Sequence, residues 1–204
     1  MINYFGHSMV SINDEIVIDP HDGGSIGLKR PEISSCNLIL MTHNHYDHNA
    51  YELIEHKEAK LSFYGNFEYL GYKISGYKAY HDKVKGKRRG ETAIYKVSWN
   101  NHVLVHLGDI GEFPKENIMK EISNPDILFL PIGGLITINS EEAISLAKDL
   151  EPKAIIPIHY WVKGSLLPLD PPDQFLSKIG QKIIEVKKSL DENNLEKAVY
   201  FITA

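Results

Sequence analysis

One run of side chains constrains this chain more than any other: His43-Asn44-His45-Tyr46-Asp47-His48, directly after the apolar residues 38–42. A continuous apolar stretch of that length predicts a strand that is covered on both faces. Residues two apart at the end of such a strand can project to the same side, so the first two histidines can bind one ion. The aspartate and the third histidine can face a second ion. Imidazole and carboxylate ligands favour zinc, with manganese or iron as alternatives.

The alternative is a surface loop that is rich in histidine by chance. The chain has 10 histidines among its 204 residues. With that content, the spacing of the run would arise by chance in roughly one chain in a thousand. The sequence therefore favours a metal site at this loop.

Three further candidate ligands follow predicted strands elsewhere in the chain. Asp109 comes after the strand at 103–107, His159 after the strand at 154–158, and His81 after the segment at 73–80. Each of these residues alone is more often structural. Together with the run they make seven ligands, which is what two ions sharing a bridging carboxylate require. We expect Asp109 to be the bridge, because a short side chain behind glycine can approach both ions.

Length, cysteine count and net charge limit the fold, the location and the partners that we expect. A length of 204 residues fits one domain, expected to span residues 1–204, and the single cysteine excludes an internal disulfide. The start of the chain shows no targeting segment and no apolar run is long enough for a bilayer, so a cytoplasmic protein is expected. With a net charge of -5, we expect a small-molecule substrate, and neither a membrane nor a nucleic acid, as partner. The oligomeric state stays open, with a homo-oligomer as one alternative.

The order of predicted elements indicates the fold class. Strands come first and then alternate with helices, which predicts stacked sheets with helices outside, a layered α/β sandwich. The predicted strands are 2–5, 9–12, 16–18, 38–42, 61–64, 73–80, 92–98, 103–107, 127–132, 154–158, 182–186 and 198–202. The predicted helices run from Asn49 to about 58, from Pro114 to near 123, from Asn139 to 150 and from Pro171-Pro172 to 180.

The run of ligands and several other blocks resemble a known family. The pattern His-X-His-X-Asp-His is the signature of the metallo-β-lactamase superfamily, and the sequence is similar in particular to its short metal-dependent hydrolases related to ascorbate-6-phosphate lactonase. This resemblance implies an α+β fold, a four-layer αββα sandwich with the site at one edge. The supporting blocks are Gly6-His7-Ser8, Ile18-Asp19-Pro20, Leu40-Met41-Thr42-His43, His106-Leu107-Gly108-Asp109, Leu130-Pro131-Ile132-Gly133-Gly134 and Ile156-Pro157-Ile158-His159-Tyr160.

The resemblance also implies how the ligands divide between the two ions. His43, His45 and His81 would hold the first ion, and Asp47, His48 and His159 the second, with Asp109 bridging. The zinc β-lactamases of the family use a cysteine ligand, whereas Cys36 here precedes the motif strand. We therefore do not expect β-lactamase activity.

Two cations about 3.5–4 Å apart predict a hydrolase, because a water that bridges them ionises near neutral pH. The bridging hydroxide would attack a lactone, an ester or a related bond, with Asp47 and Asp109 as the catalytic residues. No general acid stands out; His7, His106 and Tyr160 are candidates by adjacency alone. The alternatives are a phosphodiesterase or nuclease acting on an anionic substrate, and a metal-binding sensor without activity.

Several other polar residues have predicted positions outside the seven ligands. His7 is expected either near the site, supporting a ligand, or as a buried core histidine. Asp19 is expected to support the ligand loop by hydrogen bonding. Tyr160 either walls the substrate pocket or packs in the core. Surface positions are predicted for His21, His56 and His102.

A basic segment follows His81: Lys83-Val84-Lys85-Gly86-Lys87-Arg88-Arg89. The simpler interpretation is a solvated loop, which is what most charge runs are. Its position beside a predicted ligand supports a second interpretation, a mobile flap that recruits an anionic substrate.

Overall fold

Two stacked β-sheets form the centre of the computed structural model, which describes residues 1–203. The smaller sheet has the strand order β13-β1-β2-β3-β4-β5, and the larger sheet has the order β12-β14-β11-β10-β9-β8-β7-β6. The strands are β1 (Ile2–Tyr4), β2 (Val10–Ile12), β3 (Ile16–Ile18), β4 (Leu38–Met41), β5 (Glu58–Leu61), β6 (Gly65–Tyr69), β7 (Tyr72–Tyr80), β8 (Glu91–Trp99), β9 (His102–His106), β10 (Ile127–Pro131), β11 (Ala154–Ile158), β12 (Ile183–Lys187), β13 (Ser189–Leu190) and β14 (Ala198–Thr203).

Alternation along the strands explains why the sheets stack. In β10, Ile127 and Phe129 point into the core between the two sheets, whereas Leu128 and Leu130 point to the outer face of the larger sheet. β4 of the smaller sheet does the same, with Leu38 and Leu40 directed inwards. Successive side chains of a strand lie on opposite faces, so a strand that is apolar throughout must be covered twice.

Helices cover the outer face of the larger sheet. They are α1 (Glu116–Ile122), α2 (Ser140–Leu150) and α3 (Asp173–Lys178). Asn139 and Glu142 form the predicted capping box at the start of α2. No helix within residues 1–203 has both the length and the apolar character needed to cross a membrane.

The outer face of the smaller sheet has a thinner cover. Met9, Val17 and Ile39 pack there against Ile54, beside a 3-10 helix at Tyr51–Leu53. The predicted four-layer sandwich is confirmed, with a loop and a single 3-10 turn as this fourth layer.

The predicted helix from Asn49 to about 58 is wrong. The backbone at Glu55 is paired with the segment before β4, with Glu55 N donating to Ser34 O at 2.9 Å and Cys36 N donating to Glu55 O at 2.8 Å. β5 then begins at Glu58, opposite Leu38. Backbone groups used in this pairing cannot form helical hydrogen bonds, and the Asn49 side chain bonds to Asn44 instead of capping a helix.

The strand predicted at 61–64 is also misplaced. β5 ends at Leu61, Ser62 turns the chain with a positive φ of 47°, and the next strand is β6. β6 was not predicted, because its sequence Gly-Asn-Phe-Glu-Tyr is largely polar. It lies at the edge of the larger sheet, where only one neighbour pairs with it.

Strand direction brings the site loops to one edge. β9, β10 and β11 are parallel neighbours. β7 runs in the same direction as β9, because each is antiparallel to β8, which lies between them. The carboxyl ends of these strands therefore meet at one edge, which is where layered folds place their sites.

Candidate metal centre

The loop after β4 carries the ligand run and is held by a buried carboxylate. Thr42 N donates to Asp19 Oδ1 at 2.7 Å, and Thr42 Oγ1 donates to Asp19 Oδ2 at 2.7 Å. His48 Nδ1 lies 3.0 Å from the same Oδ2. Asp19, for which the sequence predicted support of the ligand loop by hydrogen bonding, therefore contacts both ends of the loop and leaves His48 Nε2 facing the centre.

Three histidines form one group of possible ligand atoms, which we call the outer cluster: His43, His45 and His81. Their ligand atoms lie within 4.8 Å of one another. His43 Nδ1 lies 2.9 Å from Thr42 Oγ1, and His81 Nδ1 lies 3.0 Å from Ile136 O. These contacts at Nδ1 leave the Nε2 atoms of both rings free to bind an ion.

Four residues form a second group, which we call the inner cluster: His7, Asp47, His48 and His159. His7 Nε2 lies 2.9 Å from Asp47 Oδ2 and 3.3 Å from His48 Nε2. The backbone joins two of these loops as well, since His159 N donates to His7 O at 2.8 Å. Of the two predicted positions, near the site or in the core, His7 is both buried and beside the candidate ligand Asp47, and it is itself a possible ligand.

Asp109 lies between the two clusters. Its Oδ2 is 2.9 Å from His159 Nε2, 3.2 Å from His48 Nε2, 3.2 Å from His81 Nε2 and 3.8 Å from His43 Nε2. One carboxylate oxygen thus reaches histidines of both groups. This is the arrangement that a bridging ligand needs.

The centre contains buried polar atoms without hydrogen-bond partners among the described residues. They are His43 Nε2, His81 Nε2, His159 Nε2 and Asp109 Oδ1; His81 and His159 approach Asp109 Oδ2 without hydrogen-bond geometry. Each such atom carries a desolvation cost of about 1–3 kcal/mol, and a folded protein rarely leaves several together. Nitrogen and oxygen donors directed at one another across a short gap fit divalent cations, so the residues present fit a metal centre.

The pKa shifts of several site residues favour the protonation states that metal binding requires. Burial lowers the pKa of His7 to about 3 and also lowers the pKa of His43 and His45, which favours the neutral form of the ring that binds metals. Burial also acts against the charged form of His48, but the neighbouring Asp109 and Asp19 raise its pKa. Burial acts against ionisation of Asp109, yet His159 and His48 hold its pKa well below the usual range.

Comparison with known proteins gives the family. The model of the beta-lactamase superfamily domain matches residues 1–159. A UPF0173 metal-dependent hydrolase of Natranaerobius thermophilus is 31% identical over 207 residues, covering 89% of this chain and 91% of that protein. The chain belongs to the metallo-β-lactamase superfamily. Within it, the chain is a member of the UPF0173 metal-dependent hydrolases.

Solved structures of the superfamily agree with this placement. A Zn-dependent hydrolase of the superfamily from Thermotoga maritima matches with a TM-score of 0.79 and 27% identity, covering 98% of this chain and 97% of that one. Igni18, a metallo hydrolase of Ignicoccus hospitalis, matches with a TM-score of 0.66 and 23% identity over 87% of this chain and 89% of its own, which shows the fold alone. The relation to ascorbate-6-phosphate lactonase stays a prediction.

Tight backbone packing sets the spacing of this metallo-β-lactamase site. A Cβ on Gly111 would lie 2.5 Å from Asp82 N, and one on Gly133 would lie 2.1 Å from His159 O. Both are backbone atoms, so no side-chain movement could relieve the clash. His159 itself has a positive φ of 52°, which is uncommon for a residue other than glycine and is often found at functional sites.

Two other predicted site residues, His106 and Tyr160, do not belong to the clusters. His106 Nε2 lies 2.9 Å from Ser8 O and can donate to it, while Gly108 N donates to His106 Nδ1 at 3.1 Å. The buried His106 ring therefore joins the loop that carries His7 to the loop that carries Asp109. Tyr160 is also buried and packs on Phe201.

The surface position predicted for His21 is wrong. Its side chain is buried, with Nε2 3.2 Å from Phe5 O and its ring edge-on to that of His7. Asp19, two residues before His21, has a positive φ of 51°, which is uncommon for a residue other than glycine. A lone histidine in the sequence gave no signal for this burial.

A cavity of about 570 Å³ opens beside the outer cluster. His45 and His81 line it, together with the segment 135–137 and the basic loop that follows His81. Cavities of this size hold small-molecule ligands. The inner cluster does not line this cavity, although His7 lines a separate one of about 520 Å³.

Proposed function

We propose that this metal-dependent hydrolase is binuclear and cleaves a lactone, an ester or a related bond at the outer cluster. The observation that carries the proposal is the position of Asp109, whose Oδ2 lies within 2.9–3.8 Å of histidines from both clusters. A site for one ion needs no carboxylate between two groups of histidines.

Each candidate ligand has a proposed role in binding one of the two ions. His43, His45 and His81 would hold one ion, and Asp47, His48 and His159 the other, with Asp109 between them. When bound, two such cations acidify a water to supply hydroxide and neutralise the charge that develops on the attacked group. Asp19 and the Thr42 hydroxyl keep the rings of His48 and His43 in place.

Asp47 is placed for a second task. Its Oδ2 contacts His7 at 2.9 Å and His48 at 3.4 Å, and its side chain is nearly buried. His7 and His48 lower the pKa of Asp47 although burial opposes ionisation, so this carboxylate stays charged. A fixed charged oxygen beside the centre can accept a hydrogen bond from a water and orient it for attack.

The test is hydrolysis by metal-stripped and metal-loaded protein. The protein is reloaded in turn with Zn²⁺, Mn²⁺ and Fe²⁺ and assayed on p-nitrophenyl butyrate, δ-valerolactone and bis(p-nitrophenyl) phosphate. We expect turnover of the ester or the lactone that returns with metal and is lost in His48→Ala. Turnover of the phosphodiester alone would favour the phosphodiesterase alternative. Two bound metals per chain without any turnover would favour the sensor.

A further inference from the structure

The basic loop 82–90 between β7 and β8 is ordered around one carboxylate. Asp82 Oδ1 accepts from Val84 N at 2.8 Å and from Gly86 N at 2.9 Å. Its Oδ2 accepts from Arg88 N and Arg89 N, both at 2.8 Å. These donors lower the pKa of Asp82 to about 2, although desolvation acts in the opposite direction. Four backbone N–H groups of the loop are therefore bound to one side chain.

The folded loop places two arginines on the wall of the cavity. Arg88 and Arg89 line the same cavity as the outer-cluster residues His45 and His81. Within residues 1–203, neither guanidinium group forms a hydrogen bond or an ion pair. Lys83, a third basic residue of the wall, is paired with Glu142 outside the cavity.

Positive charges outnumber negative charges on the wall of the cavity, even with Lys83 paired to Glu142. Asp82 is the only carboxylate among the residues that line the cavity, and both of its oxygens accept backbone N–H groups. The whole chain has a net charge of -5, so this positive wall differs in sign from the molecule as a whole. Guanidinium groups recognise carboxylate and phosphate by paired hydrogen bonds.

We propose that Arg88 and Arg89 bind a negatively charged group, a carboxylate or a phosphate, on the substrate that the outer cluster cleaves. The proposal rests on the proposed function for the location of the scissile bond. The exposed Leu135 and Val84 border the same cavity, so the substrate also has an apolar portion in contact with them. Anion binding by the two arginines fixes the substrate at one end and leaves its reactive end at the metals.

The loop supplies a matched control for the test. Lys85 and Lys87 lie on the same loop, are exposed and do not line the cavity. The double variants Arg88→Gln/Arg89→Gln and Lys85→Gln/Lys87→Gln each remove two positive charges. Any long-range effect of charge is therefore the same in both, and only the first pair removes groups from the cavity wall.

The first measurement is binding to metal-free protein by isothermal titration calorimetry at pH 8. The probes are phenylphosphonate, phenylacetate and the neutral benzyl alcohol. We expect at least one anion to bind, with a Kd raised about tenfold or more by Arg88→Gln/Arg89→Gln and changed less than about twofold by Lys85→Gln/Lys87→Gln. If phenylphosphonate binds more tightly, the recognised group is a phosphate; if phenylacetate binds more tightly, it is a carboxylate.

The same measurement can overturn the proposal. Binding of neither anion to the wild-type protein, equal binding of the alcohol, or the same loss in both double variants would each do so. Circular dichroism checks that the variants are folded. This binding test does not depend on turnover, so a protein that hydrolyses nothing would contradict the proposed function and leave the anion site standing.

A second measurement joins the anion site to catalysis. With zinc-loaded protein, kcat/KM for mono-p-nitrophenyl succinate is compared with that for the neutral p-nitrophenyl butyrate. We expect the wild type and Lys85→Gln/Lys87→Gln to favour the succinate, and Arg88→Gln/Arg89→Gln to lose that preference through KM. A preference that survives in the arginine variant would contradict the role in substrate binding.

Discussion

The two clusters around Asp109 differ in how they meet solvent and how they are supported. The outer cluster includes the half-buried His45 and borders the cavity of about 570 Å³. All four side chains of the inner cluster are buried, and Asp19 and the backbone link between His159 and His7 hold them in place. We infer that substrate arrives at the outer cluster, while the inner cluster holds its ion as part of the folded core.

Because Asp109 lies between the two clusters, we expect its replacement to have the largest effect on activity and on metal binding. Asp109→Ala removes the one oxygen that reaches both groups and leaves four histidines facing one another. We expect kcat/KM to fall by about 10³-fold or more and the bound metal to fall below two ions per chain. Metal content and ester hydrolysis measured on the same preparation check this. Retention of both metals with wild-type activity would show that Asp109 is not the bridge.

The next comparison removes one histidine from each cluster. His48→Ala takes a buried ring from Asp19 and from the inner site, so we expect loss of activity and a melting temperature lowered by several degrees even without metal, about 4 °C or more. His45→Ala removes a half-buried ring, so we expect loss of activity with little change in the melting temperature of metal-free protein. His56→Ala, outside both clusters, serves as the control. Equal melting temperatures for His48→Ala and His45→Ala would contradict the claim that the inner cluster supports the fold more than the outer cluster does.

A smaller loss of metal affinity or activity is expected when Asp19, which supports the inner cluster, is replaced. Asp19→Asn keeps the size of the side chain but replaces one acceptor oxygen by an amide and removes the charge. Partners of this kind are worth about 10–100-fold in metal affinity or activity, and we expect a loss in that range. Asp22→Asn is the matched control, because Asp22 bonds to Ser25 outside both clusters. Competition with a chromogenic zinc chelator measures the affinity, and equal values for both variants would contradict the supporting role.

The smallest effect is expected at the start of α2, which contributes no residue to either cluster. Asn139→Ala removes the side-chain acceptor for Glu141 N and Glu142 N at the start of α2. Loss of such a cap costs about 1 kcal/mol of stability, and we expect the free energy of unfolding in urea to fall by that amount. Metal affinity should be unchanged. A change in metal affinity would mean that the start of α2 influences the metal site, which would contradict the expectation that only stability depends on this cap.

The sequence was most informative where chemistry is local. The run from His43 to His48 and the ends of predicted strands were enough to propose seven candidate ligands, and the fold brings these side chains close together. Parallel strands β9 to β11 place their carboxyl ends at one edge, so Asp109 and His159 meet although they are far apart in sequence. The layered fold could be predicted for the same reason, because the strand runs are apolar on both faces.

Features that depend on tertiary contacts were not accessible from the sequence. The segment after Asn49 has a helical pattern, yet pairing of Glu55 with Ser34 and Cys36 decides its structure. The position of His7 depends on the packing of its loop against that of His159. The order of the basic loop depends on Asp82, whose four backbone partners cannot be read from a run of charges. In each case a long-range or multiple contact outweighs the local pattern.

The number of ions that the folded chain binds is the most direct test of the account. Metal-free protein is titrated with Zn²⁺, freed of unbound metal by gel filtration, and analysed by inductively coupled plasma mass spectrometry. Two ions per chain are predicted for the wild type, and one for His45→Ala, in which the inner cluster is intact. One ion or fewer in the wild type would contradict a centre built from two clusters around Asp109.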